Sequence, residues 1–192
     1  MRIRQARTAD SDAIAAIYVD TWRDAYAGVL PDRVLVNMSR RRQAADWRHA
    51  LSHESGAHQS GGHQILVAEA GEAGELGITG FGSCGPARDT GLAYLGEVFT
   101  LYVDPVHQGQ GIGKALLAAL FQALIRQGMA SAVIWVLADN PARFFYEAHG
   151  GRLVGTRDER LWGTDLREIA YGWDDLAAPR AGRARQRHPH DR

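Results

Sequence analysis

The chain has 192 residues, 45% apolar and 23% charged, as expected of one globular domain with a sizeable core. Its 22 basic and 22 acidic side chains cancel, so global charge points neither to nucleic acid nor to an anionic membrane. Cys84 is the single cysteine, which excludes an intrachain disulfide or a cysteine-rich zinc site and suits a reducing cytoplasm.

The start, Met1-Arg-Ile-Arg-Gln5, is polar and lacks an apolar signal core. No apolar run approaches the roughly 20 residues that a membrane span needs. Ile3 to Ala6 alternates and predicts a short first strand. Thr8 or Asp10 can cap a helix with Ala13, Ile14, Ile17, Tyr18, Thr21 and Trp22 on its apolar face. Gly28 ends that region, and Pro31 fits the first turn of a second helix. Ser39 can cap a third, with Ala44, Trp47 and Leu51 on one face. Ser52 to Gly62 is rich in His, Ser and Gly and reads as a mobile loop.

Strands are expected at Gln64 to Ala70, Glu75 to Cys84 and Ala93 to Val103, with turns at Gly71–Gly74 and Pro86–Gly91. A helix is predicted from Ile112 to Gln127 and a buried strand from Ser131 to Leu137. Asp139-Asn140-Pro141 opens a further helix through Ala148, stopped by Gly150-Gly151. Arg152 to Arg160 and Leu166 to Trp173 form a final strand pair around Gly163-Thr164. From Pro179 the chain carries five arginines, two histidines and one aspartate without apolar periodicity, and residues 179–192 read as a disordered basic tail. Residues 1–178 thus form an α/β domain (α+β mixed sheet) with a βαβ unit in its second half.

The stretch Val103-Asp-Pro-Val-His-Gln-Gly-Gln-Gly-Ile-Gly-Lys114 joins a strand to a helix through three alternating glycines. Glycine lets backbone N–H groups approach a ligand, and the helix start adds unpaired donors and partial positive charge. A phosphate-bearing ligand is the expectation, a tight turn without ligand the bland alternative. The spacing rejects a nucleoside-triphosphate loop, because Ala115 stands where the metal-binding hydroxyl would be. It rejects a dinucleotide fingerprint too, because the third glycine comes one residue early.

The pattern that fits is Gln-x-x-Gly-x-Gly, as Gln108, Gly111 and Gly113. It resembles the pyrophosphate-binding signature of the GNAT superfamily of acyl-CoA-dependent N-acyltransferases. The element order is similar from Met1 to Leu176, which implies the GNAT fold, a central mixed sheet flanked by helices. The resemblance implies acetyl-CoA as co-substrate, with no metal. Its phosphates would sit on N–H groups of Gly109, Gln110, Gly111, Ile112, Gly113 and Lys114, with Gln108 opening the loop. Its pantetheine would pair with the main chain of the central strand at Leu101, Tyr102 and Val103, where a bulge opens the strand. A backbone N–H near Leu101 would meet the oxyanion.

The segment Val136-Leu-Ala-Asp-Asn-Pro-Ala-Arg-Phe-Phe-Tyr-Glu-Ala-His-Gly-Gly151 falls on the second half of the family pattern. By resemblance Asn140 bonds the pantetheine arm and Tyr146 protonates the departing thiolate. A phenol, with a reference pKa of about 10, can donate to a thiolate as it forms. Phe144 and Phe145 read as packing residues.

Glu97 is the candidate base for the attacking amine. It interrupts an apolar strand, where an unpaired carboxylate is costly and burial would raise its pKa toward a useful range. It lies 11 residues before Gln108, the spacing of the base glutamate in several GNAT acetyltransferases. A solvent-facing glutamate, one that only binds the amine, and a base acting through water stay open. Trp22 and Tyr26, at i and i+4, share a helix face that borders the acceptor site in GNAT proteins, though core packing explains them equally well.

The histidines His49, His53, His58 and His63 lack a regular ligand pattern and read as a solvated loop region. Arg40-Arg41-Arg42 and the arginine-rich tail read as solvated faces, with no nucleic-acid motif beside them. The expected activity is transfer of an acetyl group to a primary amine on a small molecule or peptide, by direct attack in a ternary complex. Another acyl donor or acceptor, or a non-catalytic CoA-binding sensor, are the alternatives. A homodimer is compatible with the resemblance.

Overall fold

Ile65 and Val67 leave their strand on one side and Leu66 and Ala68 on the other, and each pair is buried in a different core cluster. That alternation is the signature of a strand covered on both faces. The computed structural model describes residues 1–54, 62–71, 77–88, 91–161 and 163–178. The strands are β1 (Arg2–Gln5), β2 (Gln64–Ala70), β3 (Gly77–Pro86), β4 (Gly96–Val103), β5 (Ala132–Leu137), β6 (Arg152–Leu161) and β7 (Thr164–Trp173). The helices are α1 (Ser11–Ala25), α2 (Asp32–Val36), α3 (Arg40–Glu54), α4 (Ile112–Arg126) and α5 (Ala142–Ala148).

Among the described residues the strands form one sheet in the order β1-β2-β3-β4-β5-β7-β6. Every neighbouring pair is antiparallel except β4 and β5, which are parallel and joined through α4. The fold is the mixed α/β sheet expected from the sequence. On one face α1 and α3 bury Ile14, Ile17 and Leu51 against Ile65, Val67 and Phe81. On the other face α4 buries Leu116, Leu120, Phe121 and Leu124 against Cys84, Val98 and Ile134. Gly82 permits the closeness of α4, since a Cβ there would lie 2.7 Å from Leu120 Cδ1.

Several expectations shift: β3 runs on to Pro86 rather than ending at Cys84, and α3 runs on to Glu54, into the expected 52–62 loop. Strand β4 begins at Gly96 rather than Ala93, after Ser131 captures the N–H groups of Leu95 and Gly96 at 3.1 and 2.9 Å. Asp10 does precede α1, but its carboxylate bonds Arg4 and the Arg7 N–H instead of the helix start. Ser39 does accept from the first turn of α3, at the Arg42 N–H. Most of the expected 52–62 loop and the whole expected tail lie outside the described residues.

The feature that makes room for a ligand is a fork. Strands β4 and β5 share only the pairs Gly96↔Ala132 and Glu97↔Val133, and their outer halves are unpaired with each other. A bulge accompanies the divergence. The β3–β4 register steps from Cys84↔Val98 to Ser83↔Thr100, which leaves Phe99 unpaired and bends the strand.

Candidate active site

In an antiparallel ladder alternate residues turn their N–H and C=O toward the partner strand. Asp104 donates its N–H to Thr79 O at 2.9 Å, continuing the side of β4 that bonds β3. Leu101 and Val103 therefore turn their main-chain groups away from β3, into the fork. The Val103 carbonyl meets side-chain donors there, Gln108 Nε2 at 3.3 Å and Thr21 Oγ1 at 3.4 Å. Tyr102 points its side chain to the α1 face, where it packs edge-on against Tyr18.

Beyond the fork lies the glycine loop. Asp104 accepts from the Val106 N–H and closes a short turn over Pro105–His107. Gly109 and Gly111 follow with φ of 75° and 81°, the left-handed region that disfavours side chains. A Cβ on either would meet nothing within 4 Å, so the space above them is open. Gly111 is the N-cap of α4, and the first-turn N–H groups of Ile112, Gly113 and Lys114 have no partner within the helix. Ile112 buries its side chain in the core and serves the loop through its backbone alone. Gly113 sits under the Phe145 ring, 3.4 Å from where a Cβ would stand. Gln110 and Lys114 are exposed. The loop fits an anionic group: open space, aligned N–H donors and a helix dipole converge on one place.

Glu97 stands at the last β4–β5 pair and is 0% exposed. The partner that the strand pattern does not reveal is Arg88. Its backbone N–H donates to Oε2 at 3.0 Å, its Nε to Oε1 at 3.1 Å, and its Nη2 to Oε1. The guanidinium also lies over the Phe99 ring, 5.3 Å from its centroid. The glutamate is buried rather than solvent-facing, and it is paired. The cost of burying the charge is met by three donors from one residue.

Across the fork, Asn140 ends the β5 segment and opens α5. Its Oδ1 accepts the Ala142 N–H at 2.8 Å, and its Nδ2 donates to the Tyr26 hydroxyl at 2.7 Å. Tyr146 is 4% exposed on α5, and burial, with Tyr26 as a second influence, pushes its phenol well above its usual 10.0. Phe144 is exposed beneath Arg143, whereas Phe145 packs against the core as expected. Trp22 and Tyr26 do share a face, with ring centroids 4.9 Å apart, and Trp22 Nε1 donates to the Tyr102 hydroxyl at 3.0 Å. Trp22, Tyr26, Tyr102 and Asn140 are thus linked to one another between α1, β4 and the start of α5, and Val103 is tied to α1 through Thr21, whereas Glu97 sits further back on β4 with Arg88 as its partner. Sequence reasoning missed Arg88, which lies in a turn with no motif around it. It also missed the Tyr26–Asn140 bond, which spans 114 residues.

No group of three or more His, Cys, Asp or Glu that could hold a metal occurs among the described residues. His63 stacks on Phe99, and His58 and the His53 side chain lie outside the described residues. No helix among the described residues is long and apolar enough to cross a membrane.

The family profile for the acetyltransferase (GNAT) domain matches residues 61–150, the span of the fork, the glycine loop and α5. An uncharacterized N-acetyltransferase of Bacillus subtilis, YuaI, is 31% identical over 176 residues, covering 92% of this chain and 94% of that protein. The chain belongs to the GNAT acetyltransferase family. Its fold agrees with that of the Salmonella typhimurium protein yncA, solved with its cofactor acetyl-CoA. The two share 27% identity and a TM-score of 0.62, over 94% of this chain and 98% of that one. A shorter match, 44% over 57 residues, links 29% of the chain to 19% of the mycothiol acetyltransferase of Kocuria rhizophila. GNAT membership places the chain among the acyltransferases.

Proposed function

We propose that the chain is an acetyl-CoA-dependent N-acetyltransferase that acts on a primary amine by direct transfer in a ternary complex. The observation that carries the reading is the fork itself. Leu101 and Val103 main chain faces away from β3 without a β5 partner, on a strand that also carries a buried carboxylate, Glu97, and the helix after β5 carries a buried phenol, Tyr146. In this reading the pantetheine of acetyl-CoA lies along β4 as an added strand, and its pyrophosphate sits on the loop from Gln108 to Lys114. The co-substrate supplies the thioester.

Glu97 takes the amine's proton. Both of its oxygens are bonded to Arg88, an occupancy that favours a route through water over direct contact. Tyr146 keeps its proton at neutral pH because burial disfavours the phenolate, so it has one to give to the departing sulfur. The Leu101 N–H stabilises the oxyanion as charge develops on it.

Thiol release from acetyl-CoA across a broad panel of amines tests the reading. Turnover with a primary amine is expected. Tight binding of acetyl-CoA with no turnover on any amine would instead make the chain a CoA-binding sensor.

A further inference from the structure

The sheet face that α1 and α3 cover over β2 and β3 is apolar. Further across, over β5, β7 and β6, the same face changes character. At one end Leu137 and Leu166 join Tyr26, Leu30 and Leu35 in a cluster. At the other end the chain after β3 folds back over the strands. A Cβ on Gly155 would lie 3.4 Å from Leu92 Cδ1 and 3.5 Å from Trp135 Cη2. Between these two covers the sheet carries charge. Glu97 pairs with Val133, Trp135 follows Val133 on the same side, Leu137 pairs with Glu168, and Glu168 pairs with Arg157. Glu97, Trp135, Glu168 and Arg157 therefore share one face.

The carboxylates of this face are engaged. Glu168 accepts from Arg157 Nε at 2.6 Å, and Glu159 lies 3.6 Å from Arg157 Nη2. Glu97 accepts from Arg88. Arg88 is used along one edge only, through Nε and Nη2. The donors of a guanidinium point outward around a rigid plane, so the Nη1 side faces away from Glu97. Among the described residues no hydrogen bond occupies Nη1. The side chain is 61% exposed, which leaves this edge open to a ligand. It also stands at the fork, over the ring of Phe99, the bulged residue shortly before Leu101.

We infer that the acceptor is a free α-amino acid and that Arg88 selects it, the outer edge of the guanidinium holding the carboxylate while the amine lies toward Glu97. The inference rests on the proposed role of Glu97 as the base. Arg88 touches that base directly, so a ligand that meets both must carry its amine and its anion close together. An α-amino acid has them on one carbon, whereas a diamine would bring a second cation against the exposed guanidinium. A carboxylate also matches the planar donor edge, and such charge-assisted bonds are strong. The charge of the face agrees: Arg88 and Arg157 against Glu97, Glu159 and Glu168 leave one negative charge, which suits the incoming ammonium.

The test uses the full chain and matched acceptors that differ only at the carboxylate: leucine, leucinamide and isoamylamine, with the corresponding sets for methionine and phenylalanine. The best free amino acid should exceed its amide and its plain amine about 10- to 100-fold in kcat/KM, the worth of one hydrogen-bonded ion pair. Arg88→Gln keeps a donor for Glu97 and removes the charge. Its kcat falls for every acceptor if Glu97 is disturbed, so the readout is the ratio between matched acceptors within the one variant. That ratio should shrink to less than about threefold. As a measurement that needs no variant, the acid without the amine, isocaproate for the leucine set, should compete with the amino acid for the wild type.

Wild-type turnover of amides or plain amines as fast as the amino acids would overturn the inference and leave the N-acetyltransferase reading standing; a preference for the amides would point to peptide N-termini. A preference for amino acids that survives Arg88→Gln would remove Arg88 as its source. Should Arg88→Gln fail to fold by thermal melting, the competition decides, and no inhibition by the acid would overturn the inference. Binding of acetyl-CoA without turnover of any amine would remove the enzymatic reading and this one with it.

Discussion

Arg88 grips Glu97 with its backbone N–H, its Nε and its Nη2, so a carboxylate of 0% exposure is served by a guanidinium of 61% exposure. A turn outside the sheet thereby finishes the wiring of a charge inside it. Removing the arginine side chain leaves that charge in place with the backbone N–H of residue 88 but without the guanidinium donors. Arg88→Ala should cost about 2–3 kcal/mol, read by urea denaturation, because hydrogen bonds to a charged group are lost. Arg88→Lys should recover part of this, since an ammonium restores charge but not the two-pronged geometry.

Glu97→Gln preserves shape and removes the basic carboxylate. It should lower kcat about 100- to 1,000-fold and leave acetyl-CoA affinity unchanged by calorimetry. A change of less than threefold would take Glu97 out of the chemistry.

Gly111→Glu should abolish acetyl-CoA binding, by placing a side chain and a negative charge over the N–H cradle. Part of the effect is backbone strain, as Gly111 has a φ of 81°. Gly128, just past the other end of α4, has the same φ of 81° and provides the control. Gly128→Ala should cost about 1 kcal/mol of stability without altering acetyl-CoA affinity.

Asp10 joins Arg4 and, through it, Glu69, tying β1, β2 and the turn before α1 together. The Arg4 hydrogen bonds hold the Asp10 carboxyl below its usual 3.8 despite the opposing effect of burial. A carboxyl with a depressed folded pKa stabilises the fold above its unfolded pKa of about 3.9. That contribution is lost as pH falls through the folded value. Melting temperature should therefore drop in this acid range for the wild type. Asp10→Asn should be less stable at neutral pH and show a flatter acid slope.

Cys84 is buried, and burial pushes its thiol up to about 12. In the native chain it should resist a disulfide reagent at pH 8 and react on unfolding. Thiol-release assays can then be run without background from the protein.

The elements were legible where one periodicity ruled. Strand β2 is Gln64–Ala70 as the apolar run predicts, and α4 begins at Ile112 directly after the glycine loop. The start of β4 was not legible, because Ser131, a residue far along the chain, decides where the ladder begins. The same division holds for the site. The Gln108–Lys114 loop is local and shows in its spacing. Glu97 announces that a charge is buried but not which cation answers it. Tyr26 reads as packing until Asn140 is seen to bond it.

The fork has a mechanical consequence. Glu97 belongs to the part of the sheet that ends at β4, and Tyr146 to the part that begins at β5. The two parts meet in the sheet at just two residue pairs, as two covers meet at a spine. The span between Glu97 and Tyr146 is therefore set at the spine. A Cβ on Gly96 would press on Leu124 at 3.0 Å. A substitution there touches neither Glu97 nor Tyr146, yet it changes how wide the book stands open.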